Sequence, residues 1–117
     1  MSTERALRVA QSIKRELAEM IRRDLKDPRL TGLISITDVE CSPDLRATKV
    51  FISVFGENIN KQAVIECLTE EAGYMRGEIC RRLKLRFAPE LSFKLDDSLE
   101  RGAKVSELLG KISRGEV

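Results

Sequence analysis

The sequence predicts an α+β domain in the order α-β-β-α-α-β-α, a three-stranded sheet with helices packed on one face. Three observations carry this. Residues 3–26 and 61–85 repeat apolar side chains at helical spacing. LISITDVE (33–40) and LRATKVFISVF (45–55) are rich in β-branched residues and are separated by the turn signal CSPD. LSFKLD (91–96) alternates apolar and polar residues with the period of a strand.

In the first helix, Ala6, Val9, Ala10, Ile13, Leu17, Met20 and Ile21 form the apolar stripe. Arg8, Arg15, Arg22 and Lys26 lie opposite, interspersed with Glu4 and Glu19. Two readings of that face stand side by side: a solvated surface laced with Glu4–Arg8 and Arg15–Glu19 pairs, or a surface that contacts phosphates. KDPRLTG ends the helix, because Pro28 disfavours helical geometry at Asp27 and Gly32 permits a turn. The two β-branched runs then read as an antiparallel hairpin. In the second, Val50, Ile52 and Val54 take one face and Phe51 and Phe55 the other, which predicts a central strand.

GENIN (56–60) is a loop, with Asn60 placed to cap the helical region 61–85. Pro89 marks the exit toward the third strand, where Leu91, Phe93 and Leu95 alternate with Ser92 and Lys94. A last helix is expected from Asp97 or Ser98, with Leu99, Gly102, Val105, Leu109 and Ile112 at helical spacing. At 117 residues and 42% apolar content the chain suits one domain with one core, assigned to residues 1–113, followed by a frayed tail at 114–117. With aromatics at 4% and no Trp, that core is aliphatic.

Several function classes drop out. Cys41, Cys67 and Cys80 form no CxxC pattern, and without any His there is no plausible zinc ligand set. The N-terminus is charged and amphipathic, and no apolar run of 18 residues occurs, so a cytoplasmic protein with reduced thiols and no membrane segment is expected. The lack of His excludes Ser-His-Asp and Cys-His catalysis, and no Walker A or G-x-G-x-x-G motif is present. The pair Asp96–Asp97 could hold a magnesium ion but reads better as a strand end and helix cap, with Glu100 in the first turn. No catalytic residue, cofactor or metal is expected, and the chain is not read as an enzyme.

Charge distribution points elsewhere. The net charge of +2 says little, but residues 1–26 carry +3, residues 76–86 carry +4, and the remaining 80 sum to −5. Such asymmetry favours an anionic partner on one side of the molecule. Within the second basic stretch, Val64, Leu68, Ala72, Met75, Ile79 and Leu83 make one helical face, while Gly73 and Gly77 lie opposite, in line with Arg81 and Lys84. Each glycine costs about 0.8–1 kcal/mol relative to alanine in a helix interior. Three explanations compete: one glycine ends a helix as a C-cap, the GxxxG spacing admits another helix, or the glycines bare the backbone at a kink so that an anionic chain can approach. Acids early (Glu66, Glu70, Glu71) and bases late also suit the dipole of a single helix.

The whole chain resembles the bacterial ribosome-binding factor A (RbfA) family. The features that carry the resemblance are RVAQSIKRELAEMI with DPRL (27–30), SPDLRATKVFISV (42–54) and GYMRGEICRRLKLRFAPELSFKLDDSLERG (73–102), in order and at fitting spacing. The resemblance implies a type II KH-like domain with a helix–kink–helix in place of the GxxG loop. In that family an Ala-x-Gly sequence marks the kink. Here, aligned on Gly73, the chain reads Glu71-Ala72-Gly73, so Glu71 stands at the family's alanine position and the kink is expected around Ala72, Gly73 and Gly77.

It further implies binding to the immature 30S ribosomal subunit and its 16S rRNA, help in late maturation including 5′-end processing, a link to cold adaptation, and release before translation, with no chemistry of its own. The residues expected to contact RNA are Arg76, Arg81, Arg82, Lys84 and Arg86, with Arg8, Arg15 and Arg22 as a second patch. With so few aromatics, base stacking should matter less than Arg and Lys contacts. A monomer is the default for a factor that docks and leaves. The rival reading is a protein-interaction module whose basic helices grip an acidic partner. DNA binding is weaker still, for want of a helix-turn-helix pattern.

Overall fold

The computed structural model describes residues 2–96. The apolar stripe makes the first helix, α1, which spans Ser2–Arg23. Ala6, Ala10, Ile13, Leu17 and Met20 are buried, and Val9 and Ile21 flank them half-buried. The helix stops short of residue 26. The N–H groups of Asp24 and Leu25 both reach back to the Met20 carbonyl, at 2.8 and 3.1 Å, closing off the last turn ahead of Pro28.

The DPRL turn that follows is fastened from two sides. The Asp27 carboxylate accepts from the Arg29 backbone N–H (2.8 Å), Nε (3.0 Å) and Nη2 (2.9 Å). Arg29 also pairs with Glu70, far along the chain. The Arg29 side chain holds the Asp27 carboxyl well below the usual carboxylate range. Gly32 then enters the sheet at φ +77°, where a Cβ would stand 2.5 Å from the Phe55 carbonyl oxygen. A side chain there would force the backbone apart.

Strands β1 (Leu33–Cys41) and β2 (Ala47–Phe55) form the antiparallel hairpin, and Cys41 belongs to the first strand, not to the turn. The register sets Val39 opposite Val50 and Ile36 opposite Ile52, with a bulge between Ile36 and Asp38. β3 (Glu90–Leu95) pairs parallel to β2, Phe93 beside Val50, so the sheet runs β1-β2-β3 with β2 in the centre. This is why β2 is apolar on both faces: Val50, Ile52 and Val54 are buried on one side, Phe51 and Phe55 half-buried on the other.

A parallel partner requires a crossover, and two helices supply it: α2 (Lys61–Glu70) and α3 (Ala72–Leu83). Asn60 caps α2, its Oδ1 accepting from the Ala63 N–H at 3.0 Å. α2 buries Val64, Ile65, Cys67 and Leu68, and α3 buries Met75 and Ile79. Truncating such a side chain to alanine costs about 2–5 kcal/mol. The order α-β-β-α-α-β, antiparallel then parallel, is the type II KH-like arrangement. The expected seventh element, the helix from residue 97, and the tail at 114–117 lie outside the described residues. Among the described residues no helix is long and apolar enough to cross a membrane.

Candidate nucleic-acid interface

The two crossover helices meet at Glu71, with φ −88° and ψ 1°. Glu71 is the first residue of the Glu71-Ala72-Gly73 triplet that aligns with the family's kink. The break falls one residue before Ala72, which opens α3, and Gly77 sits in the middle of that helix. Glu71 gives α3 no side-chain cap, and its own N–H returns to the Cys67 carbonyl. Neither Gly73 nor Gly77 has positive φ, so neither ends a helix as a left-handed C-cap. A Cβ added at either would meet nothing within 4 Å. No described part of the chain approaches them closely, so no described helix packs against this GxxxG face. What remains is a strip of bare helix backbone facing outward.

Arg81 continues that strip. Its side chain is 69% exposed and grips Glu78 one turn back through Nε (2.9 Å) and Nη2 (3.0 Å). The contact lowers the Glu78 carboxyl below its ordinary range. Lys84 closes α3 in the left-handed conformation, φ 53°, its N–H bonded to the Cys80 carbonyl and its side chain exposed. Arg86 follows, also exposed.

The other two arginines of the basic run turn inward. Arg76 donates from Nε to the Pro89 carbonyl (3.0 Å) and from Nη2 to the Ala88 carbonyl (3.3 Å). Arg82 bridges α3 to α1: Nη1 meets Glu16 at 3.0 Å, and Nη2 meets Glu78 at 3.2 Å and Asp24 at 3.6 Å. Asp24 also accepts from the Tyr74 hydroxyl at 3.0 Å. These two guanidiniums hold the surface in place, with fewer donors left for a ligand.

The second patch divides. Arg8, with Arg5, lines a depression against Leu83 and Leu85, so the start of α1 joins the end of α3 in one basic surface. Arg15 and Arg22 instead rim a larger groove between the second half of α1 and β1, over Ile21, Ile34 and Ile36. The expected Arg15–Glu19 pair does not form. Glu19 pairs with Arg23 at 2.8 Å, and Arg15 reaches Ser12 at 3.4 Å.

Sequence reading missed two residues beside Arg86. Phe87 is 49% exposed, with the Arg46 guanidinium carbon 4.7 Å and the Arg86 carbon 5.5 Å from its ring centroid. Arg46 precedes β2 and lies far away in sequence, so no local pattern connects it to Phe87.

The ribosome-binding factor A family matches residues 5–109. A ribosome-binding factor A of Desulforamulus reducens is 51% identical over 109 residues, covering 93% of this chain and 90% of that protein. The crystal structure of ribosome-binding factor A from Thermus thermophilus superposes with a TM-score of 0.66 at 29% identity, over 77% of this chain and 94% of that one. The Thermus thermophilus protein as fitted into the cryo-EM map of a 30S–RbfA complex gives 0.62 at 27% identity, over 75% and 91%. With a family match across nearly its whole length and a fold shared with these structures, this chain belongs to the ribosome-binding factor A family.

Proposed function

We propose that the chain is an assembly factor that binds the immature 30S ribosomal subunit through 16S rRNA and stabilises one RNA conformation without catalysis of its own. On this reading it acts late, assists 5′-end processing, and leaves before translation. The likeness to a protein fitted into a 30S complex supports the partner. Support for the contact surface comes from the bare pair Gly73 and Gly77, lined up with Arg81 and Lys84.

Gly77, in the interior of a 12-residue helix, weakens it by about 0.8–1 kcal/mol, and nothing among the described residues requires either glycine. An external backbone that must come close to the helix does require them. Cations beside the strip set the sign of that backbone as negative. In this reading Arg81, Lys84, Arg86 and Arg8 make the direct contacts, Arg76 and Arg82 orient α3 beneath them, and Arg15 and Arg22 form a flanking patch. RNA is favoured over an acidic protein because phosphates recur along a backbone as the cations do along this face.

Sedimentation of cell extract on sucrose gradients at two salt concentrations tests the proposal. The protein is expected to migrate with free small subunits at low salt and to leave them at high salt. Migration only at the top of the gradient at low salt would overturn it. Co-sedimentation with a protein partner that survives complete RNA digestion would favour the acidic-partner reading instead.

A further inference from the structure

The segment between α3 and β3, residues 84–89, is held unusually firmly for a surface turn. Lys84 enters it through a left-handed cap. The Leu85 N–H donates to the Cys80 carbonyl at 3.0 Å, and the Cys80 thiol donates to the Leu85 carbonyl at 3.3 Å. Arg76 takes the carbonyls of Ala88 and Pro89, and the Glu90 N–H closes on the Arg46 carbonyl at 2.8 Å. Pro89 is buried and Leu85 half-buried, so the segment does tuck apolar groups inward. Phe87, its largest side chain, is left outside.

Around that ring lie two guanidiniums, at 4.7 Å for Arg46 and 5.5 Å for Arg86. Among the described residues, neither meets a carboxylate within 4 Å. The acids nearest in sequence are Asp44 and Glu90. Asp44 is already engaged, accepting from the Ser42 hydroxyl at 2.7 Å and the Arg46 N–H at 3.1 Å. A rigidly presented ring beside two planar cations that no described carboxylate neutralises matches the chemistry of an unpaired nucleobase. Bases stack on aromatic faces and on guanidinium planes alike, and the flanking phosphates satisfy the cations.

We propose that Phe87, with Arg46 and Arg86, is a stacking platform for an unpaired base of a single-stranded RNA segment. This rests on the RNA-binding reading above and deepens it. It adds a base contact to a surface otherwise defined by phosphates, against the expectation from the scarcity of aromatics. It also places the platform in the turn that follows α3, the helix that carries the strip of bare backbone.

The probe is an oligoadenylate ten-mer and its abasic counterpart, titrated by fluorescence anisotropy at low salt against the full chain. Phe87→Leu keeps an apolar side chain at an exposed site. It is expected to weaken binding of the intact oligomer about tenfold and leave the abasic oligomer unchanged. Phe87→Trp should restore or exceed the original affinity, whereas Arg46→Gln should weaken both oligomers alike. Equal loss for both oligomers with Phe87→Leu, or no loss for either, would overturn the platform. If Arg81→Glu/Lys84→Glu still abolishes oligomer binding in that case, the phosphate-contact reading survives alone. If the unaltered protein binds neither oligomer nor small subunits, the RNA reading itself fails. A Phe87-dependent affinity for polyglutamate without one for oligoadenylate would assign the platform to an acidic protein partner.

Discussion

α1 and α3 both lay one apolar stripe on the core and turn cations elsewhere, but they use those cations differently. Over 22 residues α1 carries Arg5, Arg8, Lys14, Arg15, Arg22 and Arg23, and only Arg23 is engaged by a carboxylate among the described residues. Its charge is a diffuse field over a long face. α3 has just three arginines in 12 residues, and two of them are drawn into the protein. What α3 offers is a shape: helix backbone without side chains at Gly73 and Gly77, with Arg81 and Lys84 at one end. Counting cations ranks α1 higher. Asking how close a partner's backbone can come ranks α3 higher.

Charge reversal on the two helices sharpens this contrast most. Arg81→Glu/Lys84→Glu is expected to lower small-subunit affinity at least ~30-fold at about 0.1 M salt, with a melting temperature close to that of the parent. Arg15→Glu/Arg22→Glu should lose only about tenfold or less. An α1 pair that loses more than the α3 pair would reverse the ranking. The parent itself, if it makes four phosphate contacts, should lose roughly 50–150-fold between about 50 and 200 mM salt.

Arg82→Ala separates a structural arginine from a binding one. It leaves Glu16, Asp24 and Glu78 facing one another across the α1–α3 seam without their shared cation. Thermal unfolding should show a fall in melting temperature of several degrees, and Arg82→Lys should recover only part of it, since one ammonium cannot reproduce the fork. Subunit binding, measured well below the transition, should change little. Strong loss of binding by a folded Arg82→Ala protein would move this residue to the contact surface.

Gly77→Ala should do two opposed things. Helix propensity raises stability by about 1 kcal/mol, or about 4 °C in melting temperature. The added methyl on the bare strip should weaken subunit binding several-fold. A stabilised variant that binds normally would mean the strip is not approached. The smallest effect concerns acid. The Asp27 carboxyl is depressed by Arg29, so its stabilisation is present above the ordinary aspartate pKa near 3.8 and is lost as pH falls below it. The melting temperature of Asp27→Asn should therefore sit below the parent's at neutral pH, and the gap should close as the pH is lowered toward about 2.

Much of this architecture is legible in the sequence. The α1 stripe, the hairpin, the central position of β2 and the Asn60 cap follow from patterns a few residues long. The failures share a cause. Arg82 finds Glu16 across 66 positions, Arg29 finds Glu70 across 41, and Arg46 reaches Phe87 only because β3 docks beside β2. No local spacing reports whether a cation will be spent on such a partner. Glu71 is legible only through the family resemblance: residue by residue the glycines draw attention to the far side of the break, while the residue that forms it is an ordinary glutamate in a bridge-region backbone.

The mixed sheet carries a consequence for the order in which the protein assembles. The β1–β2 hairpin closes over five residues, 42–46, whereas pairing β3 with β2 must close over 34, residues 56–89. On loop-length entropy alone the second closure is harder by roughly 1–2 kcal/mol, and it needs α2 and α3 folded beforehand. β3 should therefore join last and open first, detectable as earlier amide exchange at Val50–β3 contacts than across the hairpin. The 84–89 turn hangs directly from that strand. Its grip on Phe87 is thus tied to the less local of the two strand pairings, and a partner that seizes the ring would hold that seam of the sheet shut.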